Sequence, residues 1–393
     1  MIRTTTTRYA ALALLTALAL EPAAIAQDAQ STPDAPSMPG PLLAPPSAAT
    51  AATEVGPSVR LTGVRQWHAK DAPVLVRVET DGLVEEVTLM LLDANGQLIG
   101  QSPVRASTID LRQVIPAMLE IERASYLQGA VRGESIGAPL VVEPLRTPRR
   151  VRTRDRTDES GTVRTDVIGW DADPLPNATR EEREAMSTPR PVEPQITAGF
   201  RLYPEEDLLL STDRGDLRMA FAHDEAPATG HNLRQLAREG FYDGLTFHRI
   251  ASVDRLGNPF VVQGGDPAGT GDGTPGYAIT LEESSLPFDY GVVGMARADD
   301  PHSIGCQFFI SLGREGTARL DGKYSPFAYC VEGEPTIRAL ESCVIEDPAT
   351  QRPVVPPRIL SATLAPAPPR AVGTARATQR VTRQSPGDSA GHR

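Results

Sequence analysis

Four short motifs in the second half of the chain combine one cation and a few amides with many apolar side chains. They are FHRI at residues 247–250, QGGD at 263–266, GCQFFI at 305–310 and LDGKYSPF at 320–327. This combination suits a site that grips an uncharged, proline-like group and donates a hydrogen bond to its backbone. The fold must therefore bring four separate segments together around one apolar pocket.

The order and spacing of these motifs resemble the cyclophilins, the peptidyl-prolyl cis-trans isomerases, over about residues 207 to 365. The resemblance implies a mainly β fold: a closed eight-stranded antiparallel barrel capped by two helices. It also implies isomerisation of X–Pro bonds without a cofactor and without a metal. No CxxC or Cys/His ligand spacing is present, which also argues against a zinc site.

Isomerisation rotates a bond with partial double-bond character, whose barrier is roughly 18–20 kcal/mol. The reaction needs no nucleophile, but it benefits from a donor that stabilises the twisted state. Arg249 is the natural donor, because a guanidinium stays charged and holds its N–H groups in a rigid plane. A surface salt bridge is the alternative role for Arg249.

The resemblance assigns catalytic roles to Arg249, Gln263 and Phe309. It assigns substrate contacts to Phe260, Val261, Ala296, Ala298, Gln307, Leu320 and Tyr324, and it makes His248 a residue that orients the loop. Core packing is the alternative role for each Phe, and acid–base catalysis is the alternative for His248.

Several positions depart from the family pattern. Val261 stands where Met is usual, Arg319 where an aromatic residue is frequent, and Tyr324 where His is common. The segment between Ile250 and Phe260 is also longer than usual. Arg249, Gln263 and Phe309 are all retained, so we expect a working site.

The N-terminal end has the pattern of a secretory signal over residues 1–26. Arg3 and Arg8 precede an apolar run, Ala10 to Leu20, that is too short to span a bilayer, and Ala24-Ile25-Ala26 offers a cleavage site. A retained N-terminal anchor is the alternative. We expect an exported bacterial protein, periplasmic or extracellular, without stable membrane insertion.

The rest of the chain divides by composition. Residues 27–58 are a Pro-, Ala- and Ser-rich linker, and residues 59–145 contain short alternating strands that predict a small β-sandwich-like domain of unknown role. Residues 146–206, dense in Arg and Asp, predict a charged flexible linker, and residues 366–393 predict a disordered tail.

Residues 207–365 carry clearer element signals. LLLSTDRGDLRMAFA predicts a hairpin around Asp213 to Gly215. Two helices are predicted, at Thr229 to Glu239 and at Glu334 to Cys343. Cys306, Cys330 and Cys343 predict buried thiols, with a Cys330–Cys343 disulfide as the alternative.

A net charge of -11 argues against nucleic acid as a partner, because phosphate binding needs a basic surface. The expected partners are proline-containing unfolded or extended polypeptides, whose folding a monomeric isomerase would assist. The alternative is a scaffold module that binds proline peptides with little or no turnover.

Overall fold

The computed structural model describes residues 58–82, 84–157, 159, 161–188 and 196–384. The predicted signal peptide and residues 27–57 of the predicted linker lie outside the described residues, as do residues 385–393 of the predicted tail.

Two sheets enclose the first core. Their strands are β1 (Val59–Gly63), β2 (Trp67–Ala69), β3 (Leu75–Thr80), β4 (Val87–Leu92), β5 (Leu98–Val104), β6 (Ser107–Asp110), β7 (Ser125–Val131) and β8 (Glu134–Arg146), with a short helix α1 (Leu111–Val114). β1, β3 and β6 form a three-stranded sheet with the order β1-β3-β6. The remaining five strands belong to a second sheet.

The core between these two sheets is built from strands whose side chains alternate between buried and exposed positions. In β1 and β3 every second side chain is buried, as expected of strands with one face in a core and the other in solvent. Val76 and Val78 of β3 share a buried cluster with Leu89 of β4 and Val142 of β8. The two sheets therefore share one buried cluster, and the β-sandwich-like domain stays a prediction.

The segment predicted as a flexible linker contains regular structure. It forms β9 (Val151–Thr157), β10 (Val163–Trp170), β11 (Asp173–Pro174), helix α2 (Arg180–Ser187) and β12 (Thr197–Pro204). β12 completes the second sheet, whose order is β2-β12-β8-β7-β4-β5, so the first region extends well past residue 145. Residues 189–195 lie outside the described part.

A separate eight-stranded antiparallel sheet follows in the second half of the chain. Its strands are β13 (Glu206–Thr212), β14 (Gly215–Phe221), β15 (Arg249–Val253), β16 (Pro259–Gly264), β17 (Val292–Met295), β18 (Phe308–Ser311), β19 (Pro326–Glu332) and β22 (Ile359–Pro366). β20 (Ile345–Asp347) and β21 (Arg352–Pro353) form a separate hairpin. The strand order is β15-β16-β18-β17-β19-β14-β13-β22.

The predicted closure of this sheet into a barrel is wrong, because the edge strands β15 and β22 form no ladder with each other. Residues just before β15 bridge the edges instead: Gly244 N donates to Ile359 O and Phe247 N donates to Pro357 O. Pro356 and Pro357 precede β22 and lack N–H groups, so a ladder cannot continue through them.

The predicted hairpin and both predicted helices are confirmed. β13 and β14 pair directly, and the helices are α3 (Pro227–Arg238) and α5 (Glu334–Glu341), with a single-turn α4 (Arg314–Thr317) between them. Leu233 of α3 and Leu340 of α5 lie in one buried cluster with the sheet. All three cysteines are free; Cys306 and Cys330 are buried and Cys343 is half-buried.

The C-terminal segment, residues 366–384, is also ordered where a disordered tail was predicted. Arg370 and Arg376 are buried and pair with the buried carboxylates of Glu205 and Asp207. The ordering follows from these pairs, because a buried arginine and a buried carboxylate stabilise each other only while both stay in position.

Candidate functional site

Strand register brings the three predicted catalytic residues into one row. Arg249 of β15 pairs with Gln263 of β16, Gln263 pairs with Phe309 of β18, and Phe309 pairs with Gly294 of β17. Directly paired residues project to the same face of a sheet. Residues separated by more than forty positions in sequence are therefore lateral neighbours on one face.

Arg249 is held at two of its nitrogens by neutral amides. Nη1 donates to Gln263 Oε1 at 3.0 Å, and Nε donates to Gln351 Oε1 at 2.9 Å. No described carboxylate pairs with Arg249, and no described residue accepts a hydrogen bond from Nη2. The side chain is fixed while its positive charge remains uncompensated.

Burial lowers the pKa of Arg249. The ordinary pKa of arginine lies far above neutral pH, so the guanidinium keeps its proton at pH 7. Partial removal of water also strengthens any hydrogen bond that Nη2 makes to a bound group.

Gln263 is itself held by a second amide. Gln263 Nε2 donates to Gln307 Oε1 at 2.9 Å, and Gln307 Nε2 donates to the carbonyls of Gly271 and Gly273 at 2.8 and 2.9 Å. The predicted contact residue Gln307 thus links the groove, formed by the row of Arg249, Gln263 and Phe309, to the glycine-rich loop at 269–276. Gln307 donates both of its Nε2 hydrogens to carbonyls of this loop.

Asp266 organises that loop. Its carboxylate accepts hydrogen bonds from the backbone N–H groups of Ala268 and Thr270 at 2.8 and 2.9 Å. Burial acts to raise the pKa of Asp266, but the backbone N–H donors lower it below its ordinary value. The loop therefore keeps a charged acceptor at its centre. Its carbonyls in turn hold Gln307 in a fixed position.

An apolar cup lies on the same face as Arg249. One cluster contains five of the predicted contact residues, Phe260, Val261, Ala296, Leu320 and Tyr324, together with the predicted catalytic residue Phe309. The rings of Phe309 and Tyr324 meet edge to face, with centroids 5.8 Å apart and an interplanar angle of 86°. Together with Phe288, whose ring centroid lies 5.3 Å from that of Phe309, they form a rigid wall.

Gly294 makes this wall possible. A Cβ at position 294 would lie 2.5 Å from the Phe288 ring and 2.9 Å from the Phe309 ring. Those distances are too short for any real side chain, so the two rings pack over bare backbone.

Alternation separates the cup from the sheet's interior. Ile250, Val262 and Ile310 point into the large core cluster, whereas Val261 and Phe309 belong to the cup. Val261 is only 3% exposed, so it forms part of the floor of the cup rather than its rim.

Arg319 covers one side of the cup. Its guanidinium lies 4.4 Å from the centroid of the Phe260 ring, and Nη1 donates to Asp254 Oδ2 at 2.7 Å. Burial acts to raise the pKa of Asp254, but hydrogen bonds from Asn258, Arg319 and Leu256 lower it to about 2. The long segment between Ile250 and Phe260 thus supplies the anion that holds Arg319 in place.

Two predicted residues lie apart from the cup. Ala298 is exposed, two positions beyond Ala296. His248 is buried, and neither ring nitrogen bonds to a described residue. Burial lowers the pKa of His248, which keeps the ring neutral at pH 7. The structure does not bring His248 to the cup or give it a proton-transfer partner.

Gln351 was missed in the sequence. It lies between β20 and β21 with a φ of 59°, its side chain accepts from Arg249, and its carbonyl accepts from the N–H of Ile250. The positive φ is unusual for a residue with a side chain and marks a position that its surroundings hold in place. No local pattern links residue 351 to residue 249.

In the described part of the chain, no group of three or more His, Cys, Asp or Glu side chains could hold a metal ion. Within those same ranges, no helix is both long and apolar enough to cross a membrane.

Comparison with known proteins identifies the groove-bearing region. Residues 208–364 match the family model described as cyclophilin type peptidyl-prolyl cis-trans isomerase/CLD. A peptidyl-prolyl cis-trans isomerase of Synechococcus elongatus is 40% identical over 126 residues, which cover 32% of this chain and 81% of the relative. Peptidyl-prolyl cis-trans isomerase-like 1 of Rhizopus delemar is 36% identical over 140 residues, covering 34% of this chain and 79% of that protein.

A solved structure, a cyclophilin type peptidyl-prolyl cis-trans isomerase of Cryptosporidium parvum, is 27% identical. The match covers 42% of this chain and 99% of that one, with a TM-score of 0.37.

Proposed function

Because the chain belongs to the cyclophilin-type peptidyl-prolyl cis-trans isomerases, we propose that its groove isomerises X–Pro bonds of polypeptides outside the cytoplasm and so assists their folding. Family membership supports the reaction. The location is supported by residues 1–26, which have the sequence pattern of a secretory signal.

One observation carries the proposed mechanism: Arg249 is anchored by two neutral amides and by no described carboxylate. As the C–N bond twists, conjugation is lost and the prolyl nitrogen becomes able to accept a hydrogen bond. Nη2 of Arg249 donates to that nitrogen. This contact forms only in the twisted state, so it stabilises the transition state more than the bound substrate.

The cup and the amides hold the substrate during rotation. The proline ring packs on Phe260, Val261, Phe309 and Leu320, which keeps one side of the rotating bond fixed. Gln263 uses one Nε2 hydrogen for Gln307, which leaves the second for the substrate carbonyl. The substrate backbone runs along Ala296 and Ala298.

Exchange NMR on a short X–Pro peptide tests the reaction without a coupling protease. The protein should accelerate cis–trans exchange, and Arg249→Ala should lower kcat/KM by about 10²–10³, as for loss of one preorganised donor. Arg249→Lys is the matched control, because it keeps the charge but not the planar fork; it should recover only part of the activity.

Two outcomes would contradict the proposal. Peptide that binds in the groove without faster exchange would make the protein a binding module. Equal exchange rates for the parent and Arg249→Ala would remove Arg249 from the mechanism. The location is tested separately by fusing residues 1–40 to a phosphatase that is active only outside the cytoplasm; an inactive fusion would contradict export.

A further inference from the structure

A second cavity adjoins the isomerase groove, and seven of its twelve lining residues are charged. It has a volume of about 610 Å³ and lies between the β9–β10 hairpin and the edge of the cup. Leu320 and Tyr324 line both the cup and this cavity, and Ala298 lies at the cavity wall. A peptide bound in the groove therefore has the cavity within reach of a neighbouring side chain.

The lining is cationic in a chain whose net charge is -11. Five cationic side chains contribute to it, namely Arg156, Arg164, Arg297, Arg319 and Lys323. Two acidic side chains, Asp166 and Asp299, also line the cavity, and both are already paired with arginines of the hairpin. Arg319 is paired with Asp254, so the excess positive charge of the cavity comes from Arg297 and Lys323.

Arg297 is a fixed cation that no described carboxylate neutralises. Its guanidinium donates to the backbone carbonyls of Lys323, Ala298 and Asp299 and lies 4.8 Å from the centroid of the Tyr324 ring. Carbonyl oxygens orient the group without neutralising its charge. No carboxylate in the described ranges forms an ion pair with Arg297 or with Lys323.

The hairpin adds a second observation. Arg156 of β9 and Arg164 of β10 are directly opposed in the ladder, and both line the cavity. Each has a carboxylate neighbour, since Asp166 lies 3.7 Å from Arg156 and Asp299 lies 3.1 Å from Arg164. The hairpin thus brings paired arginines to the wall of the cavity, opposite the unpaired Arg297.

We propose that the cavity is an anion subsite of the isomerase groove that binds the carboxylate of an Asp or Glu side chain close to the isomerised proline in the client polypeptide. The inference rests on the proposed function, since the groove must bind the client for the cavity to read a neighbouring residue. Arg297 and Lys323 thereby select acidic clients, and the β9–β10 hairpin forms the opposite wall.

Charge-matched peptides test the subsite by exchange NMR. Two pairs are used: one differs by Glu or Lys two residues before the proline, the other by Glu or Lys two residues after it. In at least one pair we expect kcat/KM to be about three- to tenfold higher for Glu at low ionic strength, and the ratio to fall below about twofold near 0.5 M salt. The acidic protein as a whole would favour Lys, so a preference for Glu has to arise locally.

Three variants make the test specific. Arg297→Gln, which keeps donors but loses the charge, and Arg156→Glu should each bring the Glu-to-Lys ratio close to one. Arg60→Glu is the matched control, since it makes the same charge change as Arg156→Glu at an exposed position on β1 and should keep the ratio.

The outcomes separate this inference from the proposed function. Equal rates on Glu and Lys peptides, or a ratio that survives both cavity variants, would overturn the subsite and leave the isomerase intact. Absence of exchange on every peptide would instead overturn the proposed function.

Discussion

Arg249 in the groove is half-buried and Arg370 in the C-terminal segment is buried, and their partners differ in charge. Arg249 donates to the amide oxygens of Gln263 and Gln351. Arg370 donates twice to the carboxylate of Glu205, with both bonds at 2.8 Å, and its guanidinium lies over the Tyr126 ring.

The pKa shifts follow this difference. Burial lowers the pKa of Arg249; Tyr324 acts in the opposite direction, but no carboxylate does. Burial acts in the same direction on Arg370, but Tyr126 and Glu205 raise its pKa above the ordinary value. The charge of Arg249 has no carboxylate partner and can therefore stabilise a transition state. The charge of Arg370 is paired with a buried carboxylate and holds two segments of the chain together.

The largest expected effect in this comparison is on stability. Glu205 accepts hydrogen bonds from Arg370 and from Arg376. Glu205→Gln keeps the side-chain volume but leaves buried cations without their carboxylate, so we expect the free energy of unfolding to fall by about 3–5 kcal/mol. Urea denaturation measures this fall, and kcat/KM of the folded protein should stay within about twofold of the parent.

Glu184→Gln is the matched control. Glu184 pairs with Arg180 on α2 at 2.8 Å, but both side chains are exposed, so its replacement should change stability by less than about 1 kcal/mol. If Glu205→Gln is as mild as this control, the buried cluster does not hold the C-terminal segment.

The regions that hold these two arginines also differ in how far the sequence predicts them. The strands, the helices and the cup of residues 207–365 could be predicted because the order and spacing of FHRI, QGGD, GCQFFI and LDGKYSPF are visible in the sequence. Registers such as Arg249 with Gln263 then follow from strand alternation.

Residues 146–206 and 366–384 could not be predicted in this way, because their partners are distant in sequence. Arg149 pairs with Glu283 at 2.8 Å, and Trp170 lies in the core cluster and donates to the carbonyl of Gly322 at 2.9 Å. A charge-rich composition looks like a solvated linker until those distant partners are known. Barrel closure failed as a prediction for another reason, the prolines before β22.

Replacing Gln351 by Glu would give Arg249 a carboxylate partner. Gln351→Glu keeps an acceptor for Arg249 Nε but adds a negative charge, whereas Gln351→Ala removes the acceptor without adding charge. If an uncompensated cation matters more than its anchoring, Glu should lower kcat by about tenfold, equal to about 1.4 kcal/mol, and Ala should lower it less. Exchange NMR gives both rates, and melting temperatures should stay near that of the parent.

The reverse ranking, with Glu close to the parent and Ala strongly impaired, would show that Gln351 acts by positioning Arg249 alone. In that case the distinction between neutral and charged partners would not explain the groove.

The smallest expected effect concerns the cup beside Arg249. Val261 is part of its floor, and Met would extend further toward the proline ring with a flexible chain that adapts to the surrounding rings. Gaining contact worth about one CH₂ group, roughly 0.8 kcal/mol, should lower KM about fourfold. Ring packing is shared by the bound substrate and the twisted state, so kcat should stay nearly constant. Michaelis curves for Val261→Met test this prediction. An unchanged KM with an altered kcat would mean that the floor of the cup acts on the transition state, as Arg249 does. Binding of the proline ring and stabilisation of the twisted state would then not be separate roles of the cup and of Arg249.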